Sequence, residues 1–237
     1  MHEFGGNETS RDQRVIWSSV LGSTRPGAAF TVLVTILSGR LGDGSNSYHV
    51  VKGGTTRSTD VLDNVIISDG KANGASPDDS GAGMYAGSGM PTLSNVLFYN
   101  NNAAGQGGGL YSSANRTPLT GVVFDTDAGA GGGGGMFSEN SFLTLTNVTF
   151  RTNCAGSIPR PSSCTTSSNG GGLYVDNSDT VELTGVTFEA NWAATGGGLY
   201  GNLASLTLSR VMFNSNNAAN GGSLLPCLTH PRRFPNP

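Results

Sequence analysis

Residues 170–200 read GGGLYVDNSDTVELTGVTFEANWAATGGGLY and contain one complete unit of an internal repeat. The unit opens with three glycines, a leucine and a tyrosine, and the same cluster closes the stretch. Full copies of the cluster stand at residues 107–111, 170–174 and 196–200, and residues 133–137 carry it as Gly-Gly-Gly-Met-Phe; a weaker copy stands at 81–85 and a broken copy at 221–224. A fixed period of this kind is the sequence signature of a repeat architecture.

A second motif, Phe-x-x-Asn, precedes the glycine clusters and recurs at the same spacing. Its copies are Phe98/Asn101, Phe124/Asp127, Phe150/Asn153, Phe188/Asn191 and Phe213/Asn216. Successive phenylalanines are 26, 26, 38 and 25 residues apart, so the period is about 26 residues, with one insertion of about 12 residues between Asn153 and Gly170. Upstream, the pattern predicts that Ile67 takes the place of the phenylalanine and Gly70 that of the asparagine.

Each repeat is predicted to form three short strands joined by polar corners. In residues 170–200 these strands are Gly172-Leu173-Tyr174, Val181-Glu182-Leu183 and Val186-Thr187-Phe188. Their alternating apolar and β-branched residues are typical of half-buried strands, and no helical pattern occurs in the repeats. Three short strands cannot enclose a core alone, but stacked repeats can. We therefore predict an all-β parallel β-helix of six to seven rungs, each rung being one repeat of three strands.

The composition excludes several other classes of protein. Glycine makes up 37 of the 237 residues, about 16 %, and only 12 % of the residues are charged, whereas ~7 % and ~25 % are usual. A net charge of −3 with 36 % apolar residues does not fit a disordered chain, and it provides no electrostatic reason to expect nucleic-acid binding. The longest apolar candidate, residues 28–37, is about half the length of a membrane span.

The glycine clusters and the Phe-x-x-Asn motifs resemble the repeats of the polymorphic outer membrane protein family of chlamydiae. They are also similar to those of many exported bacterial proteins with right-handed parallel β-helix repeats. The resemblance covers residues 58–223, with residues 31–57 as a weaker extension. It implies a right-handed β-helix and a protein at the bacterial cell surface, in the outer membrane or secreted. Such proteins are usually adhesive or structural, so the resemblance implies no single ligand.

The repeat pattern divides the chain into three parts. Residues 1–30 are predicted to be an irregular lead-in, residues 31–223 the β-helix, and residues 224–237 a tail outside the repeat. The clear repeats occupy residues 58–223, with an insertion loop at about 154–169. Because no signal peptide is recognised and the tail departs from the pattern, we expect a fragment or a truncated product of a longer exported protein. An uncapped last rung would expose a strand edge to edge-to-edge self-association.

Two columns of like residues are the candidate sites. The first is a corner ladder in which stacked side chains bond to one another, named here the asparagine ladder: Asn101, Asp127, Asn153, Asn191 and Asn216. The second is named the aromatic stripe: Tyr85, Tyr111, Phe137, Tyr174 and Tyr200. Neighbouring residues in a strand face opposite sides, so the stripe points outward if Met84 and Leu110 point inward. It would then contact a glycan or a surface protein of a host or neighbouring cell. Alternatively, its rings only stack on each other or lie under a loop.

A polysaccharide lyase or hydrolase is the alternative function, because pectin-lyase-like enzymes share the right-handed β-helix. Such enzymes need carboxylates clustered on neighbouring rungs, and a lyase also uses an arginine or lysine. Asp125 and Asp127 share a corner, but the predicted neighbours of Asp125 are Tyr99 and Arg151, so no third carboxylate joins them. His49 stands in no recognisable catalytic pattern. We therefore predict no catalytic residues and favour a non-enzymatic, adhesin-like protein; a structural spacer without a ligand is the third hypothesis.

No cofactor is expected, although two oxygen-rich turns would suit weak calcium binding. One turn contains Asp176 and Asp179, and the other begins at Asp43; both equally fit ordinary Asx turns. Cys154 and Cys164 fall in the insertion, where they would form a disulfide in an oxidising compartment or remain two free thiols.

Overall fold

The computed structural model describes residues 16–19, 35–53, 59–87, 89–114, 116–157, 164–177 and 180–227. Within these residues every regular element is a β-strand, and neighbouring strands of the large sheets are parallel except for the first strand of one of them. The prediction of an all-β chain with parallel sheets is confirmed for this part of the molecule. The other residues of the predicted lead-in, insertion and tail lie outside the described residues.

Eight of the described strands form one sheet, named the Phe sheet for the residue that recurs in it. Its strands are, in order, Ile16–Ser19, Thr35–Ser38, Val65–Ser68, Leu97–Tyr99, Val123–Asp125, Thr149–Arg151, Thr187–Glu189 and Met212–Asn214. The phenylalanines pair in register, and Ile67 pairs with Phe98 as predicted. Their rings stack with centroids 4.8–4.9 Å apart and planes within 6°. This column forms the centre of the core.

Two further sheets enclose the same core. Seven described strands form the Tyr sheet: Val51–Gly53, Met84–Ala86, Leu110–Ser113, Met136–Glu139, Leu173–Asp176, Leu199–Asn202 and Leu224–Cys227. Six form the Leu sheet: Val61–Asp63, Thr92–Ser94, Arg116–Thr120, Phe142–Thr146, Thr180–Thr184 and Ser205–Ser209. Inward residues of all three sheets belong to one buried apolar cluster. The alternation of apolar and polar residues thus buries one face of each sheet.

A fourth set of short strands follows the ladder residues. These strands are Lys71–Ala72, Asn102–Ala103, Ala128–Gly129, Trp192–Thr195 and Asn217–Asn220. Parallel bridges from Ala128 to Cys154 and from Cys154 to Trp192 continue their pairing past the insertion. The prediction of three strands per repeat is therefore incomplete. The chain stays extended for at least two residues after the ladder corner, and those residues also pair.

The structure extends the predicted repeat region at both ends. Ile16–Ser19, in the expected irregular lead-in, pairs antiparallel with Thr35–Ser38 and covers that edge of the Phe sheet. At the other end, Leu224–Cys227 pairs in parallel with Leu199–Asn202, beyond the expected boundary at residue 223. In both places backbone hydrogen bonds cover a strand edge although the side-chain pattern of the repeat has ended.

The three glycines of a cluster are needed for different steric reasons. Gly107 has φ = 64°, a left-handed conformation that side chains other than glycine rarely adopt. A Cβ on Gly108 would overlap the backbone of the next repeat, and one on Gly109 would lie 2.8 Å from the ring of Phe124. The cluster therefore lets the chain turn tightly beside the phenylalanine column and allows successive repeats to approach closely.

Candidate functional site

The asparagine ladder forms one chain of hydrogen bonds at the corner that follows the Phe sheet. The Oδ1 atom of each residue from Asp127 to Asn216 accepts from the backbone N–H of the preceding ladder residue, over 2.8–3.1 Å. Upstream, the N–H of Gly70 donates to Oδ1 of Asn101 over 3.0 Å, which matches its predicted place in the repeat. The ladder is fully buried from Asn101 to Asn191.

The side-chain amides add a second set of bonds to the ladder. Asn101, Asn153 and Asn191 each donate from Nδ2 to Oδ1 of the next ladder residue, over 2.8–2.9 Å. Each also donates to a backbone carbonyl of the preceding repeat, over 2.9–3.1 Å. Buried amides stabilise a fold only when their hydrogen bonds are made. The ladder therefore binds one repeat to the next, and from Asn101 to Asn191 it is inaccessible to a ligand.

The aromatic stripe lies on the outward side of the Tyr sheet, with its five residues paired in register. Their inward neighbours, which include Met84 and Leu110, are fully buried. The tyrosines of the stripe are half-buried, whereas Phe137 is inaccessible to solvent. The stripe is therefore exposed over part of its length and interrupted at its middle residue.

The rings of the stripe contact one another. Tyr85 and Tyr111 stack with centroids 5.0 Å apart, and Tyr111 and Phe137 stack at 5.6 Å. Tyr174 packs edge-on against both Phe137 and Tyr200 at 4.9 Å. From Tyr85 to Phe137 the ring faces cover each other. This part of the stripe thus presents ring edges and hydroxyl groups, which form hydrogen bonds, and leaves few flat faces on which a sugar could stack.

Two carboxylates lie beside the stripe and contribute to raising the pKa of its hydroxyls. Glu139 and Asp176 pair in register, two residues after Phe137 and Tyr174. The hydroxyl of Tyr111 donates to Oε1 of Glu139 over 2.5 Å. Burial and that hydrogen bond raise the pKa of Tyr111 well above its usual value, and burial together with the charge of Asp176 raises the pKa of Tyr174 to about 12. Both hydroxyls stay protonated at neutral pH, and that of Tyr111 donates to Glu139.

A cluster of polar residues around His49 lies next to the start of the stripe. The sequence did not predict this cluster. His49 is 2 % exposed, with Nδ1 3.0 Å from the carbonyl oxygen of Gly81 and Nε2 3.4 Å from Oδ1 of Asp78. Its ring lies 5.2 Å from that of Tyr85, and Nζ of Lys52 lies 3.9 Å from the same carboxylate of Asp78. No sequence motif marks this contact, because Asp78 comes from a loop inserted in the repeat.

Asp125 and Asp127 have opposite environments. Asp125 lies near the surface and accepts from Nη2 of Arg151 at 2.9 Å and from the hydroxyls of Thr126 and Thr152 at 2.7 and 2.8 Å. Burial raises the pKa of Asp125, but these hydrogen bonds outweigh it and hold the pKa below its usual value. Asp127 is buried in the ladder. The two carboxyls therefore do not converge on one accessible site.

The turns considered for calcium hold their carboxylates in protein hydrogen bonds. Oδ1 of Asp43 accepts from the N–H and the hydroxyl of Ser45 at 2.9 and 2.6 Å, as in an Asx turn. Oδ1 of Asp176 accepts from Nδ2 of Asn202 at 2.7 Å, and Asp179 lies outside the described residues. Among the residues with described positions, no three His, Cys, Asp or Glu side chains group together as metal ligands. Weak calcium binding stays a prediction.

Cys154 and Cys164 form a disulfide with their Cα atoms 5.8 Å apart. Next to it, Gly156–Ser157 pairs antiparallel with Thr165–Thr166. The two described arms of the insertion therefore pair with each other beside the cross-link, and the repeat resumes after it.

Comparison with family models, curated proteins and solved structures found no match. The resemblance to polymorphic outer membrane protein repeats consequently rests on the residues quoted above. Within the described ranges, no helix has the length and apolar character needed to cross a membrane.

Proposed function

We propose that this chain is a right-handed parallel β-helix of the polymorphic outer membrane protein type, with six to seven rungs. We place it at the bacterial cell surface, in the outer membrane or secreted, where it acts as a non-enzymatic, adhesin-like protein. The parallel register of the repeat strands in the three large sheets and the continuous asparagine ladder support the stacked architecture. The right-handedness and the location follow from the family resemblance.

One observation carries the functional part of this proposal. An aromatic residue recurs at the same outward position in successive strands of the Tyr sheet, from Tyr85 to Tyr200. Tyrosine hydroxyls and the adjacent carboxylates of Glu139 and Asp176 line this side. Saccharide hydroxyls donate to carboxylates and accept from phenols, so an oligosaccharide lying along the stripe is the partner that best fits this chemistry. Hydrogen bonds to these hydroxyl and carboxylate groups would provide most of the contact.

The test removes hydroxyl groups and keeps the rings. A triple variant, Tyr85→Phe, Tyr174→Phe and Tyr200→Phe, is compared with the wild type on an array of immobilised oligosaccharides. We expect at least about tenfold weaker binding, which corresponds to about 1.4 kcal/mol or one to two hydrogen bonds, with an unchanged melting temperature. The matched control is Tyr99→Phe, because Tyr99 is 44 % exposed on the outward side of the Phe sheet.

Equal binding by the triple variant and the wild type would exclude the stripe as the contact surface. A wild type that binds no saccharide would favour the structural spacer or a protein partner.

The lyase alternative is checked by incubation with polygalacturonate, for which we expect no depolymerisation. The carboxylate oxygens of Asp125 are occupied by three hydrogen bonds, and Asp127 is buried. Depolymerisation that is abolished by Asp125→Asn would replace our proposal with the enzyme alternative.

A further inference from the structure

Asp127 occupies a place in the ladder where the other members are asparagines. In Asn101, Asn153 and Asn191, Oδ1 accepts hydrogen bonds and Nδ2 donates two. The groups that receive these two bonds are the amide or carboxyl oxygen of the next ladder residue and a backbone carbonyl of the preceding repeat. Amide and carbonyl oxygens only accept. At each ladder position, the atom that stands in the place of Nδ2 therefore faces acceptors and must be a donor.

The bonds of Asp127 identify which of its oxygens stands in the donor place. Oδ1 accepts from the backbone N–H and Nδ2 of Asn101 at 2.8 and 2.9 Å, and the N–H of Asp127 donates to Oδ1 of Asn153 at 3.0 Å. Because Oδ1 fills the acceptor place, the buried Oδ2 takes the place of Nδ2. In the next ladder residue, Nδ2 donates to the following ladder residue and to a backbone carbonyl of the preceding repeat. By the register, the equivalent groups for Asp127 are the amide oxygen of Asn153 and the carbonyl of Phe98. We infer that Asp127 is a neutral carboxylic acid in the folded protein and that its Oδ2–H group donates to one of these oxygens.

The surroundings of Asp127 favour the neutral form. A buried carboxylate loses hydration, and here it would also lie among oxygen atoms that repel its charge. The charged or titratable groups on the strands next to it all lie at or near the outer surface: Asp69, Lys71, Tyr99, Asp125, Arg151 and Glu189. The cation on the adjoining strand of the Phe sheet, Arg151, is bonded to Asp125 at 2.9 Å. Donation of a proton into the ladder is therefore the role that the register gives to Oδ2 of Asp127.

A neutral Asp127 makes the stability of the stack depend on pH in one direction. In the unfolded chain an aspartate loses its proton near pH 4. If the folded chain keeps the proton, folding above about pH 4 takes up one proton, and stability falls as the pH rises. Asp125 acts in the opposite sense, because its pKa is lowered in the folded protein and its contribution is lost in acid. The two carboxyls at this corner therefore have opposite effects on how the stability depends on pH.

The experiment measures the melting temperature of the full chain from about pH 4 to pH 8, the range above the ordinary aspartate value. Asp127→Asn restores the residue that the ladder uses elsewhere and supplies the donor at every pH. We expect this variant to melt about 2–4 °C above the wild type at neutral pH, which is the shift a typical single hydrogen-bond change produces in a domain of this size. The gain should shrink towards pH 4. The matched control, Asp125→Asn, should melt below the wild type at neutral pH.

A second measurement observes the proton directly. The infrared difference spectrum of wild type minus Asp127→Asn at neutral pH should contain the carbonyl band of a protonated carboxylic acid. An Asp127→Asn variant that melts at or below the wild type at neutral pH, or with the same pH slope, contradicts the inference. So does a difference spectrum that contains only carboxylate bands.

Discussion

The inner phenylalanine column and the outer aromatic stripe both place one ring in each repeat, but they differ in burial and in the contacts they make. Inside, Phe124 and Phe150 are fully buried, and their rings stack face to face. Outside, Tyr111 and Tyr174 are half-buried and keep their hydroxyls available to neighbouring groups. The inner column holds successive repeats together through apolar contact, whereas the outer one combines contact with a polar edge. Recurrence in the sequence therefore marks both columns, and burial separates the structural column from the candidate binding surface.

The largest expected effect comes from opening a cavity in the inner column. Phe150→Ala removes a fully buried ring stacked on two neighbours and should lower the free energy of unfolding by about 3–5 kcal/mol. Tyr174→Ala in the outer stripe should lower it by only about 1–2 kcal/mol, because that ring is half-buried. Urea denaturation of both variants measures the difference. Equal losses would remove the distinction between the two columns.

A smaller effect is expected when one rung of the asparagine ladder is removed. Asn153→Ala leaves the N–H of Asp127 and the carbonyl of Phe124 without their side-chain partner and should cost roughly 3 kcal/mol. Asn202→Ala is the matched surface change, since Asn202 makes one side-chain bond, to Asp176, and should cost less than about 1 kcal/mol. The two costs are compared by thermal denaturation. A cost for Asn153→Ala as small as that of the surface change would show that the ladder is dispensable.

The smallest expected effect concerns the ion pair of Asp125 with Arg151 on the outer side of the Phe sheet. The lowered pKa of Asp125 means that its contribution is present above about pH 4 and is lost as the pH falls through the folded-state pKa. Asp125→Asn should therefore destabilise the protein at neutral pH by at most about 1 kcal/mol. At a pH below the folded-state pKa of Asp125 it should match the wild type. A loss that persists unchanged in acid would assign the effect to packing rather than charge.

The register of the sheets was predictable from the sequence because one repeat period equals one step of strand pairing. The phenylalanine spacing placed Ile67 opposite Phe98 and Arg151 opposite Asp125, and the strands pair in that way. The first strand, Ile16–Ser19, was not predicted, since antiparallel pairing to an edge depends on backbone groups rather than on the repeated side chains. The short strands that follow the ladder were missed because two to four extended residues are too few to give a periodic pattern.

The residues of the candidate site were predictable, but their surroundings were not. Alternation along the strand indicates which side Phe137 faces, but it cannot indicate how the rings rotate, so the burial of Phe137 and the covered faces of Tyr85 and Tyr111 emerged only from the structure. The contact between His49 and Asp78 depends on how an inserted loop folds back onto the stack. Such a contact joins parts of the chain that share no repeat position.

The central claim is that each repeat lies in parallel register on the next, and engineered cross-links test it most directly. Thr144 pairs with Glu182 on the outward side of the Leu sheet, where neighbouring strands are about 4.8 Å apart and within disulfide reach. In a Cys227→Ser background, Thr144→Cys with Glu182→Cys should oxidise to an intramolecular disulfide in the native protein, detected by mass spectrometry of peptides. The out-of-register pair, Thr144→Cys with Thr184→Cys, should remain largely reduced under the same conditions. Equal cross-linking of both pairs, or preferential cross-linking of the second, would contradict the stacked register.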